Sequence, residues 1–179
     1  MDKIENQLDI IKGIPLSGND LQKIAPGKVI LIRDLGLYSS IDEMIHPHDC
    51  CYLLYEFKDR VGHWCCLTRR GGLIEFFDPY GKPIDSQIEF IPGAFAKATG
   101  QDRKLLTQLL IDCPYDISYN EFSFQRWDKE TKNCGRWCGM RCLLKLMTLE
   151  QFNTLFLEDY EKGGSDYIVS LLTSDIGTK

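Results

Sequence analysis

The chain lacks any uninterrupted apolar run near the roughly 20 residues that a membrane-spanning helix requires, and its opening MDKIENQLDI lacks the apolar core of a secretory signal. A soluble, intracellular protein with no membrane partner is expected. Positive charge is also in short supply, with 21 Lys and Arg against 26 Asp and Glu and a net charge of −5. This excludes a general basic surface for nucleic acid or anionic lipid. No repeat, low-complexity tract or Pro/Gly/Ser linker divides the sequence, so residues 1–179 are expected to form a single domain. Apolar residues make up 44% and aromatics 11%, enough to exclude a disordered chain and to build one sizeable core.

The paired CxxC spacing of zinc sites is missing too. The eight cysteines fall as Cys50-Cys51, Cys65-Cys66, a lone Cys113, and Cys134, Cys138 and Cys142 at helical spacing. In a reducing compartment they are expected to be thiols without structural disulfides. In HPHDCC, His46, His48, Asp49 and Cys50 lie too close in sequence to surround one ion, and Pro47 with Asp49 reads as a turn before a strand. Neither metal nor cofactor is expected. Arg69-Arg70-Gly71-Gly72 resembles a ubiquitin-like tail, but a hairpin tip accounts for it.

What is there reads as a mixture of strands and helices, an α+β chain. Ser17 with Asp20 three residues later predicts an N-capped short helix through Leu21 and Ile24. KVILIRDL, from Lys28, and Cys51 to Phe57 read as buried strands. His63 to Arg69 and Gly72 to Asp78 read as a hairpin around Arg70 and Gly71. After Lys82 the pattern weakens until Leu105, Leu106, Leu109 and Leu110 predict a helix. A last strand is expected from Ile117 to Phe124. Cys134, Cys138, Cys142 and Leu146 share the face of a buried helix, and Thr148 with Gln151 makes a capping box for another, closing near Gly163-Gly164. YIVSLL forms a final amphipathic piece.

The hairpin carries the first chemical signal. Opposed residues of an antiparallel pair share a constant sum of numbers, and a loop of Arg70 and Gly71 gives 141, which is also His63 plus Asp78. The two would face each other on one side of the sheet, the carboxylate fixing the tautomer of an imidazole whose other nitrogen stays free as a base. Cys134, at the predicted start of a helix, sits where unpaired N–H groups and the helix dipole favour a thiolate. Its neighbours Cys138 and Cys142 point into the core instead.

These residues resemble the cysteine proteases built like the adenovirus maturation protease (adenain) and the SUMO-specific proteases. Gly62-His63-Trp64 is similar to the family's His-Trp motif. Phe76-Phe77-Asp78-Pro79-Tyr80-Gly81 is similar to the strand ending in the acidic triad member, and Asn133-Cys134-Gly135 to the nucleophile's Cys-Gly. The order His, acid, Cys agrees as well. PLSGNDLQKI near the start resembles the opening of viral members. The resemblance implies a papain-like fold of the adenain type, a central mixed β-sheet flanked by helices with the nucleophile at a helix N-terminus. It implies a Cys134–His63–Asp78 triad and Gln125 as the side-chain donor of the oxyanion hole. The segment from Arg126 to Asn133 is longer than the family's usual interval before the cysteine, and Asn133 stands as the alternative donor.

The function implied is a cysteine endopeptidase that matures capsid precursors of a large DNA virus or virophage. Cleavage is expected after a small residue such as Gly, with Trp64 helping to wall a narrow groove. Its partners would be protein substrates, with no essential nucleic acid; an activating peptide is left open. A deconjugating protease for a ubiquitin-like protein is the alternative with the same chemistry, and a non-catalytic binding module the alternative of another class.

Overall fold

The computed structural model describes residues 3–157 and 165–177. The elements run α1 Lys3–Lys12, α2 Gly18–Ile24, β1 Lys28–Leu31, α3 Ile41–Ile45, β2 Cys50–Lys58, β3 Val61–Arg70, β4 Leu73–Phe77, α4 Gly93–Thr99, α5 Leu105–Ile111, β5 Asp116–Tyr119, α6 Cys134–Leu143, α7 Leu149–Leu157 and α8 Ser165–Leu172. The strands form one five-stranded mixed sheet in sequence order. The pair β1 and β2 is parallel, β2, β3 and β4 are antiparallel, and β4 and β5 are parallel. The architecture is α+β with helices on both faces of the sheet.

Strands β1 to β4 contribute to two cores because successive side chains alternate across the sheet. Cys50, Tyr52, Leu54, Trp64, Cys66 and Phe77 pack with Leu21, Trp137, Cys138 and Phe152 of the helices on one face. Cys51, Leu53, Tyr55, Cys65, Leu67, Ile74 and Phe76 pack with Met44, Leu106 and Leu110 on the other. Covering both faces makes β2 an almost continuous apolar run instead of an alternating one. Burial at about 25 cal/mol per Å² of apolar surface is the main stabilising term for such a layered fold.

The helix starts follow local chemistry. Ser17 Oγ accepts from Asp20 N–H while the Asp20 carboxylate accepts from Ser17 N–H, closing a capping box on α2. Thr148 and Gln151 do the same for α7. Every residue of α6 from Cys134 to Cys142 is buried, which forces its two arginines to find partners inside. Arg141 pairs with Glu75 of β4, Nε to Oε1 at 2.6 Å and Nη2 to Oε2 at 3.1 Å, and also donates to the carbonyls of Leu144 and Met147 beyond the helix end. Arg136 donates to the carbonyls of Thr173 and Ile176, fastening the end of α8.

Several sequence expectations are corrected. The hairpin loop is Gly71-Gly72, with Arg70 paired to Leu73, so the register sum is 143 and not 141. The turn holds its first residue at φ +60°, which Gly71 adopts freely and Arg70 would not. The strand expected through KVILIRDL stops at Leu31. The chain turns there into a 3-10 helix, Ile32–Leu37, whose buried Ile32 and Leu35 have the three-residue spacing that such a helix places on one side. The strand expected to reach Phe124 ends at Tyr119, because the Asn120 side chain is drawn inward to the backbone of Asp78; Phe122 is exposed and Phe124 enters the core. Helix α6 ends at Leu143, leaving Leu146 exposed. Helices α1, α3 and α4 arise where no helix was expected, and the closure expected near Gly163-Gly164 lies outside the described residues.

Candidate active site

Asp78 leaves the end of β4 fully buried, and its main chain is held from a distance of 42 residues. Its N–H donates to Asn120 Oδ1 at 2.9 Å, and Asn120 Nδ2 donates to the Asp78 carbonyl at 2.7 Å. The carboxylate is equally occupied. Oδ1 accepts from His63 Nε2 at 2.8 Å and from Tyr80 N–H at 2.8 Å, and Oδ2 from Gln87 Nε2 at 2.6 Å. Three donors offset the cost of taking this charge out of water.

His63 lies on β3, on the same face as Cys65 and Asp78. The two-residue change of register moves the exact partner without changing the face, since the strand period is two. Continued past Phe77, the register brings Asp78 beside Cys65 and Tyr80 beside His63. Accordingly, the Tyr80 ring lies flat on the imidazole, centroids 4.7 Å apart and planes 12° apart. Gly62 lets the strand come close just before the imidazole: a Cβ there would lie 1.8 Å from the Tyr55 carbonyl oxygen. With Nε2 committed to Asp78, the nitrogen left for a second partner is Nδ1.

Cys134, the first residue of α6, is the second titratable group acting on the imidazole, close enough for hydrogen bonding and charge to couple the two. Burial pushes the Cys134 thiol up, but the hydrogen bond and charge of His63 and the backbone N–H groups of Trp64 and Gly135 outweigh it, and the net shift is downward. For His63 burial acts downward, and the hydrogen bonds to Asp78 and Cys134 overcome it, raising the imidazole to about 10. Both shifts favour a thiolate–imidazolium pair. The other thiols of the core go the opposite way. Burial raises Cys51, Cys65, Cys66, Cys138 and Cys142, and contact with Cys142 followed by burial raises Cys50. All eight cysteines are unpaired.

Gln125 is buried on the wall of the same cleft. Its Nε2 donates to Tyr80 Oη and to the Thr131 carbonyl, both at 3.1 Å, while its Oε1 is buried without a partner. Asn133 faces elsewhere: its Nδ2 donates to Asp166 Oδ1 at 3.0 Å. Asp166 also accepts from Trp137 Nε1 and from the N–H of Arg126, each at 3.0 Å, so one carboxylate of α8 ties together α6 and the segment leading into it.

Cys134, His63, Trp64 and Gln125 open onto a cleft of about 1040 Å³. Trp64 is fixed there by its indole N–H, which donates to the Leu16 carbonyl at 3.0 Å. His63, Cys65 and Asp78 bring donor atoms within 4.8 Å of one another. However, both Asp78 oxygens are engaged, and burial together with the Asp78 charge holds Cys65 well above the ordinary thiol range, so the set is a poor fit to a cation. In the His46 to Cys50 turn, Asp49 pairs with Arg69, and the Cys50 thiol donates to the Pro26 carbonyl inside the core. Sequence reasoning missed Asn120, Gln87 and Asp166, whose partners are remote in sequence. Tyr80 stood inside a recognised motif without a role.

No protein-family model matches the chain. It is similar to the uncharacterized protein V9 of Sputnik virophage, 34% identical over 173 residues that span 93% of this chain and 98% of the relative. A viral relative fits a viral origin for the chain.

Proposed function

We propose, for a chain that belongs to one family with the V9 protein of Sputnik virophage, that it is a cysteine endopeptidase of the adenain type. The observation that carries this reading is the run of contacts from Asp78 through His63 to Cys134, at a helix start and on an open cleft. In the mechanism, His63 Nδ1 takes the Cys134 proton, and the thiolate attacks a peptide carbonyl to form a tetrahedral adduct. The adduct collapses to a thioester as the imidazolium protonates the leaving amine. Water, deprotonated by His63, hydrolyses the thioester and restores the thiol. Asp78 keeps the imidazole in the tautomer that leaves Nδ1 available.

The oxyanion would take hydrogen bonds from the Cys134 backbone N–H and from Gln125 once one of its amide hydrogens turns from Tyr80 or Thr131 toward the cleft. The viral relative and the resemblance to viral maturation enzymes together favour structural precursors as substrates, cut after a small residue such as Gly. The test is cleavage of a panel of capsid precursors and ubiquitin-like conjugates, with mass mapping of the cut bonds, by the intact chain and by Cys134→Ala. Cleavage of precursors that is lost in Cys134→Ala is expected. Cleavage of conjugates alone would move the chain to the deconjugating class. No cleavage, together with ordinary Cys134 reactivity, would leave a binding module.

A further inference from the structure

Two large apolar side chains are left half in solvent at the lip of the cleft: Trp127 is 55% and Phe90 50% exposed. Neither is loosely held. Trp127 stacks on Tyr80 with centroids 4.1 Å apart and planes 26° apart, and Tyr80 in turn stacks on His63. Phe90 meets Trp127 in a tilted contact, ring centroids 5.9 Å apart. The segment carrying Trp127 is pinned on both sides. Arg126 N–H donates to Asp166, and Asp128 accepts from the N–H groups of Glu130 and Thr131. The result is an aromatic shelf that runs outward from the imidazole and ends in half-exposed ring surface. Holding such surface in water is unfavourable, and a side chain laid against it would recover that cost.

The position indicates which half of a substrate would use the shelf. The imidazole hands its proton to the departing amine, so the segment beginning with that amine lies on the imidazole's side of the thiolate. The shelf is built on that same imidazole. The polar groups nearby are already engaged, Gln87 with Asp78, Gln125 with Tyr80 and Thr131, and the Lys82 ammonium over the Trp127 ring at 5.4 Å from its centroid, which leaves Phe90 and the exposed part of Trp127 as apolar surface. We propose that Trp127 and Phe90 form a subsite for an aromatic or large apolar side chain in the substrate segment that leaves as the amine. This rests on the protease reading and names a specificity determinant for it. Trp127 belongs to the extended segment between Gln125 and Cys134, so the added length would have a use.

The experiment separates the two claims by measuring binding without turnover. Fluorescein-labelled peptides with Gly-Gly followed by either Phe or Ala are titrated into the Cys134→Ala chain and followed by anisotropy. The Phe peptide should bind about tenfold more tightly. Adding Trp127→Ala should bring the ratio to within about twofold, while Trp127→Phe should keep most of it. Phe90→Ala gives a second reading should Trp127→Ala lower the melting temperature. Equal affinities, no binding of either peptide, or a ratio indifferent to Trp127 and Phe90 would overturn the subsite. With the active chain, kcat/KM for the two peptides should show the same ratio. Aromatic-selective binding without any cleavage by the intact chain would overturn the protease reading and leave the subsite standing.

Discussion

Asn120 grips the Asp78 peptide from both sides, accepting its N–H and donating to its carbonyl, and so fixes the carboxylate that orients His63. A residue with no contact to the cleft thereby determines where the imidazole's partner stands. The amide also donates to the Phe122 carbonyl at 2.9 Å, tying the turn after β5 to the end of β4. Asn120→Ala would leave a buried N–H and a buried carbonyl of Asp78 unpaired, at about 1–3 kcal/mol each before relaxation. Denaturant unfolding should show a loss of about 2–4 kcal/mol. An unchanged midpoint would mean that the turn re-forms these bonds without the side chain.

The reactivity of Cys134 should report its pairing with His63. The lowered thiol and the raised imidazole define a window in which the ion pair exists: thiolate is lost as pH falls through the depressed Cys134 value, and imidazolium as pH rises through about 10. Iodoacetamide should therefore alkylate Cys134 at a pH below the usual thiol range near 8.5, ahead of the other cysteines. In His63→Ala the hydrogen bond and charge that oppose burial are gone, so the midpoint should move up past the ordinary thiol value. A midpoint that stays low would assign the shift to the helix start and the backbone N–H groups alone.

His63 and Asp78 could be found in the sequence because strand periodicity survives an error of two in register. Placing the loop one residue early named the wrong cross-strand partner and still put both residues on one face. Cys134 was legible as the first member of a helical stripe, at the start of the helix. Asn120, Gln87 and Asp166 were not, because their work depends on chain segments that only the finished fold brings together. Asp166 reaches Asn133 across 33 residues, and no local pattern marks such a pairing. The same contact removes Asn133 from the cleft, where the sequence left it as an oxyanion donor.

Gln125 gives a sharper test of that hole. Its amide hydrogens are held by Tyr80 and Thr131, so an oxyanion role requires one of them to turn. Gln125→Ala should then lower kcat by about 10²- to 10³-fold with little change in KM. A kcat that barely moves would give the oxyanion to backbone N–H groups at the start of α6, and Gln125 would be left with holding Tyr80 against the imidazole.

The Arg141–Glu75 pair joins α6 to β4 with both side chains buried, so breaking it from one side should be costly. Glu75→Ala would strand a guanidinium that also caps the end of α6. A loss of about 3–5 kcal/mol is expected in denaturant unfolding. Replacing both residues with apolar ones of similar volume should restore much of it, which separates stranded charge from lost packing. A single variant as stable as the parent would mean that water reaches the site.

Cleavage should not depend on DNA. The resemblance to the adenovirus enzyme would suggest stimulation by polyanions, but a net charge of −5 opposes accumulation on a polyanion unless a local basic patch overcomes it. Trp64, Trp127 and Phe90 line the cleft with surface for side chains, and Arg60 and Lys132 are the cations among the residues that line it. Assays of the intact chain on Gly-containing precursor peptides, with and without duplex DNA across a range of salt, should give rates within about twofold of each other. Phosphate contacts would instead produce activation that falls steeply as salt rises, with a slope that counts the contacts. Strong, salt-sensitive activation would require a basic surface that net charge conceals, and substituting lysines near the cleft, Lys82 and Lys132 first, would then locate it.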